Sequence, residues 1–182
     1  CTLRCQFSST DFCDSWYTSW HPEKGEWTWN KIIELCDANP QINHVMITGG
    51  APTMHKTLLP FMTQVLHKAG FHITLETEGS AFVEGCHIDL LSLSPKMANS
   101  IPRIGTMTPL GDAITEKHVK RHEKGRRNYA AMGDWLLTAK DYQFKPVIGS
   151  PEQVKEIELL AETLGIRKDK IWLMAAGGTK EA

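Results

Sequence analysis

Short apolar runs that stop at a glycine or a proline, alternating with stretches of helical spacing, constrain this chain more than any other feature. His44-Val-Met-Ile-Thr48 ends at Gly49-Gly50, Phe71-His-Ile-Thr-Leu-Glu76 runs into Thr77-Glu78-Gly79-Ser80, and Ile88-Asp-Leu-Leu-Ser-Leu93 runs into Ser94-Pro95-Lys96. Apolar runs of this length without strict alternation read as strands buried on both faces, the habit of parallel sheets. Residues 30–38, capped by Thr28, read as a helix with Ile32, Ile33, Leu35 and Cys36 turned inward; Cys36 is then a small buried hydrophobe. Residues 57–69 repeat the helical spacing through Leu58, Phe61, Met62, Val65 and Leu66, and stop at Gly70. A further helix is expected over 128–140. Another opens at Ser150-Pro151 and ends at Gly165. Residues 142–148 and 170–174 supply a fourth and a fifth strand, with Pro146 placing the fourth at an edge or terminus. The expected fold is α/β with a mostly parallel sheet.

Residues 98–127 break this rhythm with Pro102, Gly105, Pro109 and Gly111, then a charged run, Glu116-Lys-His-Val-Lys-Arg-His-Glu-Lys-Gly-Arg-Arg127. They read as an insertion or long loop, with a short helix at most. The charged run reads as a solvated face; a partner or phosphate patch is the functional alternative. His118 and His122 stand four apart inside it, and surface placement outweighs a metal site there.

The 182 residues suffice for one domain with a sizeable core, and 41% hydrophobic with 23% charged residues is ordinary for a globular chain. A net charge of −1 gives no basic excess for nucleic acid, and no apolar run is long enough to span a membrane. The five cysteines are an odd number, crowded toward one end, which suits a reducing, cytoplasmic setting and metal binding better than a disulfide framework. The chain opens on a cysteine without an initiator Met and stops abruptly after Met174-Ala-Ala-Gly-Gly-Thr-Lys-Glu-Ala182. It therefore reads as a single domain, 1–182, truncated at both ends and lacking an N-terminal and a C-terminal strand.

Cys1, Cys5 and Cys13 stand close together among polar and aromatic residues, in a loop covering residues 1–27. Pure electron carriers hold a cubane cluster with four cysteines. Three thiolates leave one iron open, free to chelate a small molecule and pass it an electron. The stretch resembles the cysteine loop of the radical S-adenosylmethionine (SAM) enzymes, and more narrowly that of the 7-carboxy-7-deazaguanine synthase family. That family's motif reads C-x3-C-x2-C followed by Asp-Thr. Cys1-Thr-Leu-Arg-Cys5 fits its first half and Cys13-Asp14-Ser15 its second, but seven residues rather than two separate Cys5 from Cys13. Closure entropy rises slowly with length, so the longer loop can still bring its ends together.

The resemblance implies a partial (βα) barrel of the radical SAM type and a set of site residues. Cys1, Cys5 and Cys13 would hold a 4Fe–4S cluster, and Ser15, in place of the family's Thr, a Mg2+ ion. Phe12, Cys13 and Asp14 would lie beside the adenine of SAM. Gly49 and Gly50 match the Gly-Gly-Glu-Pro element that contacts its methionine moiety, with Ala51 where the family has Glu. Glu76 matches the start of a Glu-Thr-Asn-Gly-Thr segment, in which Glu78 replaces Asn. Ser94, Pro95 and Lys96 match a Ser-Pro-Lys element lying against SAM, and Thr48 a substrate-contacting Thr. Residues 171–177 resemble Leu-Met-Pro-Glu-Gly, with Ala175 and Ala176 for Pro-Glu. The activity implied is a lyase converting 6-carboxy-5,6,7,8-tetrahydropterin to 7-carboxy-7-deazaguanine with loss of ammonia. An electron donor such as flavodoxin and a homodimer are the implied partners. Two alternatives stay open: another radical SAM enzyme, such as a glycyl-radical activase, and a degenerate homologue or structural zinc protein.

Overall fold

The computed structural model describes residues 1–7, 12–23, 25 and 28–176. Four strands form one parallel sheet in sequential order: β1 (His44–Ile47), β2 (His72–Thr77), β3 (Leu90–Leu93) and β4 (Asp141–Phe144). The chain of β4 continues past Pro146 into β5 (Val147–Ile148), which pairs in parallel with β6 (Met174–Ala175). Because every strand points the same way, all strand exits open on one edge, where sites collect in folds of this type.

β4 is the last strand of the four-stranded sheet and ends at Phe144, just before Pro146, in line with the edge or terminal position read from the sequence. Lys145 N–H makes the last bond to β3, at Leu93 C=O (2.7 Å), so the missing N–H of Pro146 costs the ladder nothing. On its other side the Pro146 carbonyl accepts from Met174 N–H (3.0 Å), and Phe144 C=O accepts from Trp172 N–H (2.9 Å). The fifth expected strand is thus real but shifted: residues 168–170 form a 3₁₀ turn, and Met174–Ala175 carry the pairing.

The helices are α1 (Tyr17–Trp20), α2 (Trp29–Asp37), α3 (Leu58–Lys68), α4 (Glu116–Arg126), α5 (Tyr129–Thr138) and α6 (Val154–Thr163). α3 ends where Gly70 takes φ +86° and Phe71 N–H reaches back to Leu66 C=O (3.1 Å), the closure that only a residue without Cβ adopts cheaply. α6 ends the same way at Gly165. No helix joins β2 to β3; Val83, Cys86 and Ile88 of that crossover pack into the core directly. α2 buries none of its residues fully: Trp29, Ile32 and Cys36 are half-buried, with Trp29 packed against the core, while Ile33 and Leu35 are exposed, so only part of the inward face read from the sequence is covered.

The core lies between the sheet and α3, α5 and α6. Ile73, Leu75, Leu91, Leu93, Met132, Trp135 and Phe144 are among its fully buried members. No helix among the described residues is long and apolar enough to cross a membrane.

Residues 98–127 are more than a long loop, although Glu116, Lys117, Lys120, Arg121, Lys124 and Arg127 of the charged run are exposed, as read from the sequence. They hold an eleven-residue helix, α4, opened by a reciprocal cap between Thr115 and His118 (Thr115 N–H to His118 Nδ1, 3.2 Å). One face of that helix is buried, with His122 wholly and Arg126 almost wholly out of solvent. Arg126 is held by Glu123 and by Glu156 of α6 (3.0 Å), so its burial is compensated. The surface placement read for His122 fails because a run of charges leaves the helical face undetermined; tertiary packing chose the side carrying His122, Gly125 and Arg126.

Candidate active site

A cavity of about 1020 Å³ opens at the carboxyl ends of the strands. It gathers nearly all the residues expected from the sequence. Cys1, Cys5, Phe12, Cys13, Asp14 and Ser15 line it from the loop side. Thr48, Gly49, Gly50, Glu76, Ser94 and Lys96 line it from the exits of β1, β2 and β3. Pro95 is buried behind this wall and does not line it. Ala51 is buried and lines a smaller adjoining cavity of about 360 Å³.

The long separation of Cys5 and Cys13 closes at its neck. Gln6 and Phe12 form an antiparallel bridge, and Cys13 N–H donates to Cys5 C=O (3.1 Å). That pairing leaves the two cysteines adjacent, as a shorter spacing would. Residues 8–11, which separate the two cysteines in the sequence, and Gly177, in the closing motif, lie outside the described residues.

Residues 98–127 hold this loop in place. Gln6 is fully buried; its N–H donates to Ser100 C=O (3.0 Å), and its Oε1 accepts from Arg103 N–H (2.8 Å). Leu3 is buried against Gly125 of α4, where a Cβ would meet Leu3 Cδ2 at 2.5 Å. The Trp20 ring meets His118 edge-on at 4.8 Å, and His21 Nε2 lies 2.6 Å from Asp112 Oδ2. An apparent insertion is thus the platform on which the cysteine loop sits.

The Ser100 hydroxyl donates its single hydrogen to Met97 C=O (2.7 Å), so His122 Nε2 at 3.2 Å must be the donor into Ser100 Oγ. That leaves the Nδ1 lone pair of a neutral imidazole without a partner. Burial and the Arg126 charge push the His122 pKa down to about 4, with Glu123 opposing and Lys96 adding to the drop. The unfolded chain protonates His122 near its ordinary value of 6.5 and the folded one only near 4, so stability from this group is complete above pH 6.5 and drains away as pH falls toward 4. The expected loss is about 3 kcal/mol over that window. Urea midpoints for His122→Gln should vary less between pH 7.5 and pH 4.5 than those of the unmodified protein.

Electrostatically the cavity is mixed. Burial pushes the Cys5 thiol up to about 12 and the Cys13 thiol upward, while the Lys96 ammonium favours the thiolate at both. Lys96 Nζ lies 3.2 Å from Ser94 Oγ, and Lys145 Nζ 3.1 Å from Ser92 Oγ. Arg4, whose φ of +58° is unusual for a residue with a side chain, stacks its guanidinium 4.5 Å above the Trp20 ring. Arg4, Glu78 and Lys145 line the cavity but were not among the residues expected to bind ligand. Lys145 follows a strand end, and the rule that sites collect at carboxyl ends could have found it; nothing local singles out Arg4.

Gly50 is pinned by its neighbours. A Cβ there would lie 2.3 Å from Thr18 Oγ1 and 2.9 Å from the Cys1 backbone nitrogen. Gly49 takes φ +130° with open space around it, so its constraint is conformational instead.

Among the described residues no group of three or more His, Cys, Asp or Glu side chains could hold a single metal ion. A cubane takes each thiolate at a different iron, so its ligands surround a volume; zinc draws all its ligands to one point. The three cysteines opening on one cavity suit the first arrangement. The described strands give an α/β fold with a mostly parallel sheet whose exits face a three-cysteine loop, consistent with the partial barrel that the resemblance implies.

No protein-family model matches the sequence. The chain is 34% identical over 178 residues to the 7-carboxy-7-deazaguanine synthase of Rhodopirellula baltica, covering 97% of this chain and 63% of that one. It is 37% identical over 163 residues to the synthase of Halobacterium salinarum, covering 89% and 59%. In structure it resembles the crystal structure of QueE from Escherichia coli, with a TM-score of 0.52 at 20% identity over 92% of this chain and 69% of that one. The chain is similar to these 7-carboxy-7-deazaguanine synthases over most of its own length, and it spans about three fifths of the length of those two relatives.

Proposed function

We propose that this chain forms the core of a radical SAM lyase that converts 6-carboxy-5,6,7,8-tetrahydropterin to 7-carboxy-7-deazaguanine and ammonia, in queuosine-type deazapurine biosynthesis. One observation carries the reading: three cysteines and three strand exits line a single cavity. The names of the curated relatives support it.

Cys1, Cys5 and Cys13 would hold the 4Fe–4S cluster. Cluster and SAM together supply reductive cleavage and hydrogen abstraction, chemistry no side chain here can perform. The protein's own residues bind and orient. The Gly49 and Gly50 backbone approaches the methionine moiety, Glu76 accepts from a ribose hydroxyl, and Ser94 with the Lys96 ammonium donates to ligand oxygens, on a turn fixed by buried Pro95. Phe12, Cys13 and Asp14 flank the adenine, and the Thr48 hydroxyl meets the pterin. Ser15 Oγ lies 3.0 Å from Asp14 Oδ1, giving two hard oxygens at the position assigned to Mg2+. A flavodoxin-like electron donor, a homodimer and a cytoplasmic location belong to the same reading.

Anaerobic reconstitution of the full-length protein with iron and sulfide tests it. The expected result is a brown protein that, given SAM, dithionite and the carboxytetrahydropterin, forms 7-carboxy-7-deazaguanine. A colourless protein carrying one zinc ion would remove the cofactor on which the reading rests. Formation of 5′-deoxyadenosine without pterin turnover would move the protein to another radical SAM reaction.

A further inference from the structure

Glu78 is a carboxylate almost wholly out of solvent, 5% exposed, that nevertheless borders the cavity. Its oxygens accept from the Ser80 hydroxyl (2.5 Å) and, at 3.4 Å, from the Thr77 hydroxyl. Among the described residues no Lys, Arg or His forms an ion pair with it; the Cys1 α-ammonium feels its charge without forming an ion pair with it. Burying a carboxylate without a cation is costly, and two hydroxyls offset only part of that cost. Arg126, the other buried charge described above, has two carboxylates on it.

The direction of Glu78 is set by the backbone that follows. Gly79 takes φ +77°, and a Cβ there would strike Met132 Cγ at 2.7 Å and Leu93 Cδ1 at 2.9 Å, both on fully buried residues. The turn is thus pressed onto the core and holds Glu78 beside the cavity. Its charge acts on the Cys5 thiol, and so, with opposite sign, does that of Lys96. The cavity therefore presents one anion and one cation near the same cysteine, unpaired with each other. That is the complement of a zwitterionic amino-acid head group.

Taking the proposed SAM chemistry as its basis, we propose that Glu78 is the binding residue for the ammonium group of the sulfonium nucleotide. It fills from the exit of β2 the role that Ala51, at the exit of β1, has no carboxylate to fill. An ammonium brings three donors and a full positive charge, which two neighbouring hydroxyls cannot supply. Glu76 also borders the cavity, but it is half-exposed at the end of its strand and carries no comparable burial cost.

Equilibrium dialysis on the reconstituted full-length protein, with SAM and with its deaminated analogue that keeps the carboxylate, tests this. The unmodified protein should bind SAM about 10- to 100-fold more tightly than the analogue, as expected for a buried hydrogen bond to a charged group. Glu78→Gln should lose that preference, and Glu76→Gln should keep it. Equal affinity of the unmodified protein for the two nucleotides overturns the proposal without any variant, as does a preference that survives in Glu78→Gln or is lost in Glu76→Gln. Reconstituted protein that binds neither nucleotide removes the SAM reading itself.

Discussion

Gly50→Ala is expected to lower 5′-deoxyadenosine formation about 100-fold or more and to reduce iron incorporation, while far-UV circular dichroism stays unchanged. The added methyl would sit 2.9 Å from the Cys1 backbone nitrogen and 2.3 Å from Thr18 Oγ1. Thr18 cannot simply rotate away, because its hydroxyl is tied to Ser15 C=O at 2.7 Å. The loop has to move, and it carries the first of the proposed cluster ligands. Displacing a reacting constellation by about 1 Å costs on the order of 100-fold in rate. The sheet is spared because Gly50 lies beyond the end of β1 and makes no ladder bond. Unchanged iron content and turnover in this variant would mean that the contact between the β1 exit and the cysteine loop has no bearing on the site.

Trp135→Ala is expected to have the largest effect on stability, about 3–5 kcal/mol, against a total of roughly 5–15 kcal/mol for a domain. Trp135 is fully buried on α5, packs edge-on against Phe82 at 4.9 Å, and donates from Nε1 to Ala81 C=O (2.8 Å). It covers the crossover from β2 to β3, which has no helix of its own, so the cavity left behind has little that can collapse into it. Thermal midpoints should fall by roughly 6–20 °C. Trp135→Phe should lie between the two proteins, since it keeps most of the ring volume but leaves Ala81 C=O without its donor, at about 1–3 kcal/mol. A drop of only a degree or two in Trp135→Ala would mean that this crossover is held from elsewhere.

Much of the site was legible because its chemistry sits at strand exits, and strand exits carry local marks. Thr48-Gly49-Gly50, Glu76-Thr77-Glu78 and Ser94-Pro95-Lys96 each follow an apolar run, and parallel pairing brings all three to one edge. The spacing of Cys5 and Cys13 was readable only as a departure, since nothing in the intervening residues announces that Gln6 and Phe12 pair across its neck. Residues 98–127 misled for a related reason. A run rich in Lys, Arg, Glu and His has no hydrophobic period, so the sequence could not say which face of α4 would be buried. That choice came from Leu3 seating on Gly125 and from Glu156 reaching Arg126.

What the sequence determined by itself is the alternation of strands and helices, the glycine stops at Gly70 and Gly165, and the identity of the residues at the strand exits. These depend on contacts among near neighbours along the chain. Only the tertiary structure decided that a seeming insertion supports the cysteine loop, that Ile33 and Leu35 of α2 stay exposed, and that Glu78 is buried without a Lys, Arg or His ion pair among the described residues. Each of these depends on which distant segment arrives alongside, a matter settled by packing across the sheet edge, which no local pattern records.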